Sequence, residues 1–218
     1  MKRLFGRLLF IIVLVQLHNY TFAQDSSHLR ISLLTCTPGE ELYTTFGHSA
    51  LRIVDSSQPR PYNDVVFNYG TFNFDEDFYF KFIRGKLDYF LFVGTYDAFL
   101  ADYQQQNRGI TEQVLNMNAK EKIATQNFLK ENSKEQNKYY KYDFFLDNCT
   151  TRLRDIIKNQ HDSSFCKKPM MPLGTRFRQA IHEYLEANGK QWSELGIDIL
   201  LGKPCDAVMT PEQMQFLP

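Results

Sequence analysis

The point that most constrains the fold is Asp147-Asn148-Cys149-Thr150-Thr151-Arg152, where an aromatic stretch gives way to an amphipathic one. Tyr142, Phe144 and Phe145 lie ahead of it. Leu153, Ile156 and Ile157 follow at helical spacing. Asp147 and Asn148 are good N-cap residues, so a helix is expected to begin there with Cys149 in its first turn. The partial positive charge of a helix start favours the thiolate, which is the nucleophilic form of cysteine. The plainer alternative is a buried cysteine that only packs.

A thiol nucleophile needs a base, and the candidate lies far upstream in Phe46-Gly47-His48-Ser49-Ala50-Leu51-Arg52-Ile53-Val54. Leu51, Ile53 and Val54 read as a strand with His48 at its start. The two residues can meet only through folding, as Cys–His chemistry allows. A third polar group should orient the imidazole. Asn68, in the strand-like Val65-Val66-Phe67-Asn68-Tyr69-Gly70, fits if it shares a sheet face with His48. Ser49, Tyr43 and Glu41 compete for that role. Tyr43 and Ser49, flanking the histidine, are also candidate substrate contacts. For His48 alone, the bland reading is a core histidine bonded to backbone.

Strand patterns at 30–36, 48–54, 65–70 and 86–93 precede most of the helical ones. Helices are expected at 77–84, 96–107, 118–132 and 176–188, besides the one at Cys149. Asn118 with Glu121 forms a capping box for 118–132, whose apolar stripe reads as Ile123, Ala124, Phe128 and Leu129. Residues 108–117 and 138–145 read as extended, 161–174 as loop, and the remainder as loop and short helix. The class is α+β, with three or four antiparallel strands in a small sheet packed against helices.

Compartment follows from the first residues. Lys2, Arg3 and Arg7 form a basic start, Leu8 to Leu17 is apolar, and Thr21-Phe22-Ala23 offers a small-residue cleavage site. That is a secretory signal peptide over residues 1–23, and the alternative is an uncleaved anchor. Residues 24–218 then form one domain. Without the leader's three cations, 22 basic side chains face 25 acidic ones. That balance gives no support for a nucleic-acid partner. Four cysteines enter an oxidising compartment. One disulfide plus a free nucleophile is expected, with Cys166 and Cys205 as the candidate pair and Cys36 as a buried apolar thiol. No metal-ligand spacing occurs, so neither metal nor cofactor is expected. Arg84, Lys86, Arg152 and Arg154 can hold a lipid phosphate or a carboxylate. The bland reading for the arginines after Cys149 is ion pairing with Asp147 and Asp155.

The segments CTPGEELYTTFGHSALRIVD, VVFNYGTFNFD, FYFKFIRGKLDYFL, NKYYKYDFFLDNCTTRLRDII and FRQAIHEYL resemble the periplasmic domain of bacterial lipoprotein N-acyltransferases of the Lnb type. They are also similar to the circularly permuted papain-like group, which includes lecithin:retinol acyltransferases and NlpC-type hydrolases. In that group a strand histidine precedes a helix-start Asn-Cys. The resemblance implies a permuted papain-like (NlpC-like) fold and periplasmic location. It implies transfer of a fatty acyl chain from phospholipid, through a Cys149 thioester, to an amine such as a lipoprotein N-terminus. His48 matches the family's histidine, Cys149 its cysteine, and Asn68 the NYG position. Full-length members continue into a membrane-spanning part. Two other functions stay open: a thiol hydrolase acting on envelope peptides or amides, with peripheral membrane contact, and a non-catalytic envelope binding module.

Overall fold

The structure is a computed structural model that describes residues 27–41, 44–73, 76–77, 80–81, 88–160, 171–187 and 189–215. Six strands form one antiparallel sheet: β1 (Leu29–Cys36), β2 (His48–Asp55), β3 (Asp64–Phe72), β4 (Asp88–Thr95), β5 (Ile110–Val114) and β6 (Tyr139–Lys141). Their order is β5-β1-β2-β3-β4-β6. Five α-helices accompany them: α1 (Tyr96–Gln105), α2 (Ala119–Asn132), α3 (Cys149–Gln160), α4 (Phe177–Ala187) and α5 (Gln191–Leu201). The sheet is larger than the three or four strands expected, because the short β5 and β6 add to its two edges.

Side-chain alternation sorts each strand between two faces. On one face the cross-strand partners Ile31 and Ile53, Leu33 and Leu51, and Leu51 and Phe67 form a continuous apolar layer. The row Leu153, Ile156 and Ile157 of α3 packs on that layer, as does Leu129 of α2. On the other face Leu34, Ala50 and Val66 meet Tyr96 and Phe99 of α1. Arg52 stitches this second face together. It is bidentate to Asp64 at 2.8 and 2.6 Å, reaches Glu112 at 2.8 Å, and lies 3.4 Å over the Tyr96 ring.

Two helix expectations need correction. The Asn118 capping box forms as expected, but the buried row of α2 is Glu121, Thr125 and Leu129. Ile123 and Phe128 face solvent. Residues 191–201 form a full helix, α5, where loop and short helix were expected. It pairs with α4 around Ile181, Leu185, Ile197 and Cys205. Cys205 is a free, fully buried thiol inside that cluster, so the expected Cys166–Cys205 disulfide does not hold it. Cys166, most of the expected helix 77–84 and most of the loop 161–174 fall outside the described residues.

Candidate active site

The site lies at one end of the sheet, where β1 ends, β2 begins and β3 is interrupted. Sequence chemistry near Cys149 explains its placement. Asp143 accepts the backbone N–H groups of Phe145 and Leu146, and its own backbone pairs with Asp147. This closes a tight turn of the kind aspartate favours. Asn148 then caps α3: its Oδ1 accepts the Thr151 N–H at 2.9 Å, while Thr151 Oγ1 accepts the Asn148 N–H at 2.8 Å. Cys149 is the first residue of the helix, as expected.

His48 reaches the thiol from the start of β2. Its Nε2 donates to Asn68 Oδ1 at 2.5 Å, and the ring also interacts with the Cys149 thiol, with Nδ1 the nitrogen left to face it. Three residues far apart in sequence thus form a chain, Cys149–His48–Asn68. A register shift in β3 between Asn68 and Thr71 aims the asparagine at the ring. Gly70, inside that shift, has φ +85° and sits beside both Cys149 Cβ and His48 Cε1.

The electrostatics are those of an ion pair. Burial opposes ionisation of Cys149. The His48 imidazole, the Ser49 N–H and the Thr150 hydroxyl outweigh it and bring the thiol down from 9.0 to about 7. Burial likewise opposes charge on His48, but the neighbouring thiolate and Asn68 move its pKa upward. Cys36, the cross-strand neighbour of His48, makes the contrast. Burial pushes it up to about 11, with Tyr103 hydrogen-bonded to it. Alkylation by iodoacetamide is therefore expected at Cys149 in preference to Cys36 and Cys205. Thiolate exists above the thiol pKa, so its rate should rise through about pH 7. Replacing His48 with alanine removes the largest of the influences that oppose burial, leaving only the Ser49 N–H and the Thr150 hydroxyl, and should move that midpoint upward. A natural-chain midpoint near 9, followed by mass spectrometry of the labelled peptide, contradicts the ion pair.

The other expected contacts divide. Ser49 is buried and its hydroxyl accepts from Thr150 at 3.3 Å. It serves the site through its backbone N–H, in place of the substrate contact or ring-orienting role expected of its side chain. Arg152 is bidentate to Asp147 at 2.6 and 2.7 Å and lies 3.6 Å over the Tyr140 ring. Its guanidinium is held by the turn before the helix, in the ion pair that the sequence offers as the plainer of the two readings. Arg152→Ala is expected to cost about 1–2 kcal/mol, after allowing for partial solvent screening of the pair. Denaturant titration checks this. Glu41 is exposed, and Tyr43 and Arg84 lie outside the described residues. Among the described residues no group of three or more His, Cys, Asp or Glu could hold a metal ion.

Sequence reasoning missed Thr150 and the Gly70 bulge. Glycine inside a strand pattern is the signal that could have found the bulge. Phe92 of β4 is the cross-strand partner of Asn68, and its half-exposed ring lies over Gly94 of its own strand.

Fold and site together define an α+β domain with a thiol–imidazole pair assembled between a strand start and a helix start. The Lnb N-terminal periplasmic domain family matches residues 16–186, and the chain belongs to it. The domain is periplasmic and its role belongs to the cell envelope. Comparison with curated proteins and with solved structures gives no match.

Proposed function

We propose that this domain is a cysteine acyltransferase of permuted papain-like design. In this reading it takes a fatty acyl chain from a phospholipid onto Cys149 and passes it to an amine, such as a lipoprotein N-terminus. The observation that carries the reading is the juxtaposition of Cys149, at the first turn of α3, with His48, itself bonded to Asn68, with the thiol lowered to about 7. The Cys149 thiolate attacks the ester carbonyl and forms the new C–S bond. The developing oxyanion sits near the helix start, where the backbone N–H of Cys149 has no partner earlier in the helix. His48, protonated in the pair, donates its proton to the leaving glycerol oxygen as the C–O bond breaks. The acceptor amine then attacks the thioester, His48 takes the amine proton, and Cys149 leaves as thiolate. Asn68 holds the imidazole in the tautomer that points Nδ1 at sulfur.

The test is intact-mass analysis after incubation with detergent-dispersed phospholipid. A hydroxylamine-sensitive fatty acyl adduct on Cys149 is expected. If only a peptide adduct forms with envelope peptides, and no fatty acyl adduct, the thiol acts as a hydrolase instead.

A further inference from the structure

Helix α5 has one strongly exposed apolar face. Trp192, Leu195 and Ile199 are 88, 55 and 76 % exposed. Their i, i+3, i+7 spacing stacks them on one side of the helix. A Cβ built on Gly196, between them, meets nothing within 4 Å, so this side is open. The opposite side is conventional core: Ile197 and Leu201 pack with Ile181, Leu185 and Cys205. The helix's two acids are turned away from the open face. Asp198 lies 2.9 Å from His182 Nε2 and is ion-paired with Arg178, and Glu194 lies 3.5 Å from His182 Nδ1. The open stripe therefore carries no charge of its own. It lies beyond residues 16–186, the span of the family match.

We infer that this face of α5 seats on a lipid surface and brings Cys149 to its acyl donor; the second half rests on the phospholipid reading above. Area separates the occupants. Three side chains at these exposures present on the order of 500 Å², the size of a functional patch. A stable dimer buries about 800 Å² on each partner. A second copy of the chain would thus be held weakly. An interfacial helix needs only a few apolar anchors, and tryptophan favours the boundary between headgroup and acyl chain. Continuity with the site supplies the second argument. Lys190, at the start of α5, donates to Gly39 O at 2.7 Å, in the turn after β1. Phe46, two residues before His48, packs into the α4–α5 cluster and stacks edge-on against Phe144, whose carbonyl accepts from Asn148. The buried side of α5 thus rests on the turn that carries His48 and on the cap that carries Cys149, and the helix itself links the open stripe to the site.

Trp192 is the single tryptophan of the chain, so it reports on its own contact. The experiment adds vesicles of phosphatidylethanolamine and phosphatidylglycerol to the natural chain and follows Trp192 emission and co-flotation. A blue shift that saturates with lipid is expected. Leu195→Ser with Ile199→Ser keeps the reporter and removes two anchors; vesicle partitioning should fall by more than about tenfold. Its circular dichroism spectrum should match the natural chain. Its rate of thioester formation from detergent-dispersed donor should be kept, while that from vesicles is lost. Unchanged emission and no flotation, with thioester still formed from dispersed donor, overturns the docking and leaves the acyltransferase reading standing. Docking with no thioester from either donor does the reverse. A blue shift without lipid that follows protein concentration shows a second copy on this face and overturns the proposal.

Discussion

Cys149→Ala is expected to abolish thioester formation while leaving the fold intact. In the proposed reading the Cys149 sulfur forms the thioester bond, so its loss leaves no route to a thioester at this site. His48→Ala should cost about 10³-fold or more, because it removes both the charge that holds the thiolate and the acid that protonates the leaving group. The double variant should be no worse than Cys149→Ala alone, as for residues that act as a unit. Stability should move the other way. Replacing a buried ionic pair by apolar groups is often neutral or stabilising, since both charges were desolvated on folding. Asn68 acts through His48, so Asn68→Ala should lower the rate by a smaller factor and also move the thiol's alkylation midpoint upward. A merely structural role would leave that midpoint in place. If Cys149→Ala chiefly unfolds the chain, with no loss of a measured activity, the cysteine is structural and the binding-module reading returns.

The site pair is legible in the sequence because each member carries its own local signal. Asn148 and Thr151 specify a cap, and a cap specifies which residue opens the helix. Strands β1 to β3 are legible for a similar reason: their apolar residues alternate, and both faces of this part of the sheet are covered. The α2 stripe misleads because tertiary packing overrides composition. Glu121 and Thr125 can be buried at little cost since their polar groups are satisfied within the helix. Glu121 accepts the Asn118 N–H at 2.8 Å, and Thr125 donates to the Glu121 carbonyl at 2.9 Å. That leaves Ile123 and Phe128 outside. Helix α5 is hard to see because it is apolar on two sides, which erases the 3.6-residue contrast. For Arg152 the sequence offers two readings, an ion pair with Asp147 or a ligand contact, and does not choose between them because Asp147 lies across the cap. Only the bend of the chain at Asn148 brings the two together.

Two glycines frame the dyad, and substituting them should give opposite signatures. Gly47 has φ +74°, and a Cβ there would lie 2.7 Å from the backbone carbonyl oxygen of Cys36. That oxygen belongs to the end of β1 and cannot swing aside as a side-chain tip would. Gly47→Ala must therefore pry β1 from β2 where His48 pairs with Cys36, in addition to meeting the left-handed penalty of about 1–2 kcal/mol. Its dominant effect should be a large loss of stability, read as a lower denaturant midpoint. Gly70 also has positive φ, but a Cβ there meets Cys149 Cβ at 3.5 Å and His48 Cε1 at 3.8 Å. Those are ordinary contacts, so Gly70→Ala should cost only the backbone strain of about 1–2 kcal/mol. The strain falls on the bulge that aims Asn68 and on the ground between sulfur and imidazole. A displacement of about 1 Å in such geometry costs roughly 10²-fold in rate. Gly70→Ala should therefore remain folded, lose about that much activity, and show a thiol midpoint shifted upward from about 7. If the variant keeps both its rate and its midpoint, the bulge is not what sets the spacing of Cys149 and His48.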